Sequence, residues 1–193
     1  RVWVPPKGDR IVVVIHRSTP TPMQVLLVGG RPVPGGECQN VDTVIFSKDG
    51  QHYGAVCSTP QFTKALIVDG KRMREYGGIM NVQFTAAGRP VYYVNHAQRQ
   101  FIVVGEEESD GYAGIQDLTA RVVGNHVAFA ALDDAGARTV SIDGKKTTYD
   151  RRSGVHALTL SADGSRFAYA MGGLNTERLV LDGVEQRGLN FPY

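Results

Sequence analysis

The sequence predicts an all-β fold, a β-propeller of four-stranded blades, and three observations support that prediction. A hairpin phrase recurs along the chain, most clearly as FSKDGQHYGAV at 46–56 and as LSADGSRFAYA at 160–170. A second phrase, an apolar run closed by glycine such as LIVDG at 66–70, recurs in step with the first. No segment shows the sustained 3.6-residue apolar period of a helix, so the repeats are interpreted as strands.

The two phrases share nearly one period. The turn glycines of the first phrase are spaced by 42, 38, 36 and 40 residues and are Gly8, Gly50, Gly88, Gly124 and Gly164. The glycines that close the second phrase are spaced by 40, 35, 39 and 39 residues and are Gly30, Gly70, Gly105, Gly144 and Gly183. A four-stranded unit of this length is the size of a propeller blade. Since one blade cannot bury both of its faces, neighbouring blades are expected to stack into a continuous core.

The second unit shows how each repeat divides into four strands. We expect strands at 42–47, 52–57, 64–68 and 71–76, with SKDGQ closing the first pair and DG closing the second. Asp-Gly suits these turns because glycine adopts the positive φ that tight hairpins require. The same division gives five blades in one domain, at approximately 1–40, 41–78, 79–114, 115–154 and 155–193. They form either a five-bladed ring or part of a larger array.

Composition narrows the class of protein. The chain has 193 residues, of which 42% are hydrophobic and 21% charged, as is usual for a soluble globular domain. The net charge of +2 indicates no general attraction to nucleic acid. No apolar run approaches the roughly 18 residues that cross a bilayer, so we expect a chain that does not span a membrane. The basic turn at 71–74 and the acidic turn at 106–108 are interpreted as solvated turn tips.

The two cysteines, Cys38 and Cys57, leave two possibilities open. Cys57 is expected to face Asp42 across the first hairpin of the second unit, which places Cys38 a few residues beyond register. A disulfide is possible because the Gly-rich segment before Cys38 can bend back, but two separate thiols are favoured.

The repeated phrases resemble a known family. FSKDGQHYGAV and LSADGSRFAYA are similar to the F-S-P-D-G-x-x-[IL]-A-Y repeat of bacterial TolB-type, WD-like propellers, and VDGK at 68–71 is similar to a second element of such repeats. The resemblance implies a β-propeller in an extracytoplasmic location: periplasmic, lipoprotein-anchored or secreted. The chain departs from the pattern where the usual proline is replaced, by Lys48, Ala86, Val122 and Ala162. TolB-type propellers commonly have six blades, and five units are visible here.

The motifs of catalysis and metal binding are missing from the sequence. His52 and His126 occupy equivalent positions just after a hairpin turn and are interpreted as exposed strand-edge residues. His16 and His96 lie near junctions between second and third strands, but no HxH, HExxH or CxxC spacing supports a metal site. No Gly-x-Ser-x-Gly is present, and the aspartates before the turn glycines are interpreted as structural. We therefore predict no catalytic residues, no metal and no cofactor.

Binding is the remaining class of function. The loops on one face of the propeller differ between units, as expected of a scaffold that carries recognition loops. Candidate binding residues in or beside those loops are Arg17, Phe62, His96, Arg99, Arg151 and Arg152. The leading hypothesis is a non-enzymatic scaffold for protein–protein interaction. The alternatives are a carbohydrate-binding propeller, for which Tyr76, Tyr112 and Tyr149 are the only repeated candidates, and a propeller that serves a lyase or hydrolase.

Overall fold

The computed structural model describes residues 1–18, 22–118, 120–172 and 177–186, and it confirms the all-β propeller architecture. Five antiparallel sheets follow one another along the chain, one for each repeat. These ranges contain no α-helix; a 3-10 turn at Gln116–Leu118 interrupts the first strand of the fourth sheet. The end of the predicted fifth blade, at 187–193, lies outside the described residues.

The strands of each sheet pair in chain order. Blade 1 contains β1 (Val2–Trp3), β2 (Val12–Arg17), β3 (Met23–Val28) and β4 (Arg31–Cys38). Blade 2 contains β5 (Asn40–Phe46), β6 (Tyr53–Ser58), β7 (Lys64–Val68) and β8 (Lys71–Tyr76). Blade 3 contains β9 (Gly78–Phe84), β10 (Pro90–His96), β11 (Arg99–Val104) and β12 (Glu107–Glu108).

The last two blades complete the pattern. Blade 4 contains β13 (Gly114–Ile115) and β14 (Arg121–Val123), which both pair with β15 (His126–Leu132), then β16 (Arg138–Ile142) and β17 (Lys145–Tyr149). Blade 5 contains β18 (Gly154–Leu160), β19 (Phe167–Gly172), β20 (Arg178–Leu181) and β21 (Val184–Glu185).

The core is divided among the interfaces between consecutive blades. Four hydrophobic clusters join blade 1 to 2, 2 to 3, 3 to 4 and 4 to 5. In the first of them, Val12 and Leu26 of blade 1 pack with Tyr53 and Ile67 of blade 2. No hydrophobic cluster of the described residues joins blade 5 to blade 1. Each blade thus depends on its neighbours for burial, as the repeat predicts.

The antiparallel order gives the propeller two sides, which we name by what they carry. The turn side carries the turns between first and second strands and between third and fourth strands, such as 47–52 and 69–70 of blade 2. The loop side carries the loops between second and third strands, such as 59–63, and the connections from one blade to the next, such as 150–153.

Cys38 and Cys57 form a disulfide, with their Cα atoms 5.5 Å apart, so the favoured prediction of two separate thiols is wrong. The error lies in the register of β5 on β6. Cys57 pairs with Val41, and the strand bulges at Asp42 before Thr43 pairs with Val56. The extra residue shifts the register of β5 along β6 by one position. The backbone N–H of Gln39 then bonds to the Ser58 carbonyl at 2.9 Å, and the end of β4 lies beside Cys57.

Candidate functional site

On the turn side, each histidine that follows a hairpin turn pairs with the aspartate of its own blade's next turn. The Nδ1 atom of His52 lies 2.6 Å from Asp69, and that of His126 lies 2.8 Å from Asp143. The second carboxylate oxygen accepts the backbone N–H of the residue after the histidine, at 3.1 Å for Tyr53 and 2.8 Å for Val127. Arg166 and Asp182 repeat this arrangement in blade 5. These aspartates therefore tie two turns of one blade together.

The same histidines also contact the next blade. A Cβ added at Gly88 of blade 3 would collide with the His52 ring, and one added at Gly164 of blade 5 would collide with the His126 ring. The His52 ring also stacks on Phe84 at 6.2 Å between centroids. The histidines interpreted as strand-edge residues are thus partly exposed, but they fill the space beside a neighbouring turn.

The aspartates of the first turns are structural as well. Asp49 accepts from the Ser47 hydroxyl at 2.5 Å and from the backbone N–H of Gln51 at 3.0 Å. Asp163 accepts from Ser161 and from the backbone N–H of Ser165, and these bonds lower the pKa of Asp163 to about 2. Hydrogen bonds to the charged form explain the direction of that shift.

A cleft of about 460 Å³ lies on the turn side, between blades 3 and 4. Its apolar wall includes Ile102, Val104, Val127 and Phe129. Charged residues surround it, and most of them pair with one another: Lys146 with Asp110, His126 with Asp143 and, at 3.9 Å, Arg89 with Glu107. The cleft therefore offers few free polar groups to a ligand.

The repeated tyrosines pack between blades, and Tyr76 also lines a cavity of about 230 Å³. Each lies edge-on to an aromatic ring of the following blade, and the pairs are Tyr76–Tyr92 at 6.4 Å, Tyr112–Phe129 at 6.0 Å and Tyr149–Tyr169 at 6.1 Å. The rings of Tyr76 and Tyr112 are almost completely buried. Burial, together with a hydrogen bond to Glu108, raises the pKa of Tyr76, and burial raises that of Tyr112. The observed role of Tyr76 and Tyr112 is therefore packing between blades.

The loop side holds all six residues predicted to bind, but they do not form one group. Arg17 pairs with Glu37 of its own blade at 2.7 Å. Phe62 is 86% exposed at the tip of the blade 2 loop, with a φ of 61°. His96 is exposed at the end of β10. The neighbouring loop residues 19–21 and 173–176 lie outside the described residues.

Three of the six residues lie around one loop of blade 4, at 133–137. Arg99 pairs with Asp134 of that loop and donates to the Gly111 carbonyl at 3.1 Å. On the other flank, a Cβ added at Gly136 would lie 3.3 Å from Cβ of Arg151, and Arg152 follows in the same exposed turn. The structure thus brings together side chains from blade 3, from a loop of blade 4 and from the connection between blades 4 and 5.

A fourth arginine, Arg138, completes this group and was not predicted. It opens β16 directly after the loop, and its Nε atom is buried without a hydrogen-bond partner among the described residues. Its side chain lines a hollow of about 230 Å³, together with Gly114, Ile115, Gln116, Ala130, Ala131, Leu132, Gly154 and Val155. The signal available in the sequence was its position after a loop that differs from those of the other blades. We call Arg99, Arg138, Arg151 and Arg152 the arginine group.

Two nearby carboxylates accept hydrogen bonds from backbone N–H groups. Asp133 accepts the N–H of Ala137 at 2.8 Å, and Asp150 accepts that of Arg152 at 2.8 Å. Within the described part of the chain, the guanidinium groups of Arg138, Arg151 and Arg152 form neither a hydrogen bond nor an ion pair. Guanidinium forks bind carboxylates in a two-point geometry, so this place is suited to an acidic side chain.

Neither a metal-binding cluster nor a helix that could cross a membrane is present among the described residues. No group of three or more His, Cys, Asp or Glu side chains is placed to hold a metal ion. No helix there has the length and apolar character needed to cross a bilayer.

Comparison with known proteins gives similarity only to solved structures, since no family model and no curated protein matches the chain. The β-propeller domain of the Trilobed protease from Pyrococcus furiosus is 14% identical, with a TM-score of 0.49, over 94% of this chain and 69% of that domain. TolB from Acinetobacter baumannii is 16% identical, with a TM-score of 0.40, over 90% of this chain and 49% of TolB. A prolyl endopeptidase is 14% identical, with a TM-score of 0.46, over 96% of this chain and 34% of that one. All three identities are below 25% and all three TM-scores are below 0.5, so these similarities carry no argument about the function of this chain.

Proposed function

We propose that this chain is a non-enzymatic binding scaffold whose loop side holds a protein partner. The observation that carries the proposal is the arginine group, in which three guanidinium groups lack an acceptor among the described residues beside a hollow of about 230 Å³. Arginine is enriched in protein interfaces, where it supplies much of the binding free energy. The partner would insert an Asp or Glu side chain beside Arg138, with Arg151 and Arg152 at the rim.

Phe62 supports the same surface from blade 2. A phenylalanine that is 86% exposed has no packing role in the described structure. Its positive φ of 61° is uncommon for a bulky residue, and its loop is closed by the Thr59–Thr63 hydrogen bonds. An apolar contact at Phe62 and a carboxylate beside Arg138 together describe a partner surface rather than a small molecule.

The disulfide supports an extracytoplasmic location. Disulfides form and persist in oxidising compartments and are rare in the cytosol. We therefore place the scaffold in the envelope or outside the cell, in agreement with the family resemblance of its repeats.

Photo-crosslinking in the producing cells tests the proposal. Benzoylphenylalanine in place of the exposed Ala135 samples the loop side, and the same group in place of Lys145 samples the turn side. We expect a specific cross-linked protein from position 135 only, and a loss of at least tenfold in its yield when Arg138→Ala is added, because truncating one partner of a charge pair buried in an interface costs about 2 kcal/mol or more. Equal cross-linking from both positions, or a yield unchanged by Arg138→Ala, would contradict the proposal.

A further inference from the structure

The cleft between blades 3 and 4 can be compared with the other interfaces because one hydrogen bond recurs in every blade. The residue that begins the turn between third and fourth strands donates its N–H to the start of the second strand, and the acceptors are Ile11, Tyr53, Pro90, Val127 and Phe167. Residues at the same distance from this bond are therefore equivalent. Residues directly opposite on adjacent strands share a face of the sheet, so the side chains that face the preceding blade can be identified in each blade.

The interface of blades 3 and 4 lacks an aliphatic side chain that the others contain. Two residues before the donor of this bond, blades 2, 3 and 5 have Ile67, Val103 and Val180, and each belongs to the hydrophobic cluster shared with the preceding blade. Blade 4 has Ser141 at this position, and Ser141 lines the cleft. Because serine is smaller than valine or isoleucine, it leaves space that the other three blades fill.

The same interface contains a buried hydroxyl without a partner. In two other interfaces, the tyrosine on the fourth strand of the preceding blade bonds to the following blade. Tyr76 donates to Glu108 at 2.7 Å. Tyr149 bonds to the hydroxyl of Tyr169. The equivalent Tyr112 is 4% exposed, and its hydroxyl has no hydrogen-bond partner among the described residues.

Two residues of blade 4 explain why this hydroxyl has no acceptor. Lys146 takes the position that Glu108 has in blade 3, opposite the third strand. Phe129 takes the position that Tyr169 has in blade 5. An ammonium group only donates, and a phenyl ring has no hydroxyl, so neither offers Tyr112 an acceptor. Both Lys146 and Phe129 line the cleft.

The Tyr112 hydroxyl lies beside this wall of the cleft. Its ring is edge-on to Phe129, with 6.0 Å between centroids. Burial raises the pKa of Tyr112 and the charge of Lys146 opposes that rise, which places the hydroxyl near the ammonium group. Lys146 is held only by an exposed ion pair with Asp110, which is weak enough for a ligand to displace the side chain and reach the hydroxyl.

The remaining wall defines the class of ligand. The volume of about 460 Å³ lies within the roughly 300–1,000 Å³ of small-molecule sites, and the wall is apolar at Ile102, Val104, Val127 and Phe129. Carboxylates outnumber the permanent cations around the cleft, with Glu107, Glu108, Asp110 and Asp143 against Arg89 and Lys146. This excess repels an anion, and Lys146 repels a cation at the Tyr112 end, so a neutral ligand is favoured.

We propose that the cleft between blades 3 and 4 binds a neutral small molecule that has an apolar body and a carbonyl oxygen. The body fills the space beside Ser141, and the oxygen accepts the hydrogen bond that Tyr112 lacks. This site is on the turn side and is independent of the protein-binding surface proposed for the loop side.

Three probes of similar shape test the class of ligand: benzylacetone, which is a neutral ketone, hydrocinnamate, which is a carboxylate, and phenylpropylamine, which is a cation at neutral pH. Methyl NMR of the whole chain follows Ile102, Val104 and Val127 in the cleft and Leu66 in the interface of blades 2 and 3. Benzylacetone should shift the three cleft residues saturably and leave Leu66 unchanged. The two charged probes should bind at least fivefold more weakly.

Three variants test how the ligand is held. Tyr112→Phe should weaken benzylacetone about fivefold, which is the usual contribution of one hydrogen bond. Tyr149→Phe, the matched change in the interface of blades 4 and 5, should leave its affinity unchanged. Ser141→Val restores the side chain that blades 3 and 5 have and should abolish binding. Thermal unfolding should show that each variant remains folded.

Three results would overturn the proposal. The first is the absence of saturable shifts at the cleft residues with benzylacetone. The second is equal affinity of the wild type and a folded Tyr112→Phe variant, because the ligand would then not use the hydroxyl. The third is binding of hydrocinnamate or phenylpropylamine as tightly as benzylacetone, because the site would then select a charged ligand or none in particular.

Discussion

The turn side and the loop side of this propeller use charged residues in opposite ways. On the turn side, His52 and His126 pair with aspartates that also hold the backbone, and the pattern recurs with Arg166 in blade 5. On the loop side, a basic residue opens the third strand in blades 2 to 5: Lys64, Arg99, Arg138 and Arg178. Lys64, Arg99 and Arg178 each form an ion pair, whereas Arg138 has no acceptor among the described residues. The charged residues of the turn side are therefore paired within the scaffold, and the unpaired member of a repeated position is the candidate for recognition.

The largest expected effect on stability comes from the loop side's covalent link between blades 1 and 2. Replacing both Cys38 and Cys57 with alanine should lower the free energy of unfolding by about 3 kcal/mol, because the disulfide closes a loop with a sequence separation of 19. Urea unfolding of the variant and of the wild type measures the difference. Adding a reductant should destabilise the wild type and leave the variant unchanged; equal responses would show that the link does not stabilise the fold.

Two glycines on the turn side distinguish two contributions to the loss of stability: backbone strain and steric contact between blades. Gly50 and Gly144 have φ values of 72° and 82°, so alanine is strained at both, by about 1 kcal/mol or more. An added Cβ at Gly50 would also collide with the Lys7 carbonyl, whereas nothing lies within 4 Å of one at Gly144. We expect Gly50→Ala to cost about 2 kcal/mol more than Gly144→Ala in urea unfolding. Equal losses would mean that the turn does not press against blade 1.

Alkaline pH should weaken the turn side through Tyr53. Burial and the charge of Asp69 raise the pKa of Tyr53 to about 12. The folded state therefore keeps the phenol proton that the unfolded chain loses near pH 10, so stability is complete below pH 10 and falls as pH rises toward 12. At pH 11 the wild type should have lost about 1 kcal/mol more than Tyr53→Phe, relative to pH 9. Parallel stability curves for the two proteins between pH 9 and 11 would contradict this assignment.

A smaller difference in the free energy of unfolding is expected between two aspartate variants, one on each side of the propeller. Asp143→Ala removes the acceptor for His126 and for the Val127 N–H and should cost about 1 kcal/mol. Asp134→Ala removes an exposed ion pair with Arg99 and should cost less than about 0.5 kcal/mol. Thermal unfolding of the two variants gives the comparison. A greater loss for Asp134→Ala would reverse the roles assigned to the two sides.

The sequence predicted the parts of the fold that short-range signals control. The strands at 64–68 and 71–76 are observed with the predicted bounds because an Asp-Gly turn fixes the end of one and the start of the other. The bulge at Asp42 lies in the pairing of β5 with β6 within blade 2, and the Cys38–Cys57 disulfide joins blade 1 to blade 2; local sequence shows neither. In blade 3 the first turn is one residue shorter, so Arg89 rather than Pro90 occupies the position of His52, although aligning the turn glycines implies Pro90.

The candidate site was predicted less completely than the fold. Arg99, Arg151 and Arg152 follow from the topology, since loops and blade connections lie on one side. Arg138 was missed because its buried Nε becomes visible only when β13, β15 and β18 are packed around it. Arg17 has a partner in Glu37, a pairing between β2 and β4 that sequence spacing does not reveal.

One paired measurement tests most directly whether the loop side binds while the turn side holds the fold. The cross-linked partner is titrated against the Arg151→Ala/Arg152→Ala double variant and against Asp143→Ala, and both are also unfolded in urea. The double variant should bind at least tenfold more weakly with stability within about 0.5 kcal/mol of the wild type, since surface changes away from structural contacts cost little. Asp143→Ala should lose stability and keep its affinity. A double variant that loses stability but keeps its affinity, together with an Asp143→Ala variant that loses affinity but keeps its stability, would contradict the account.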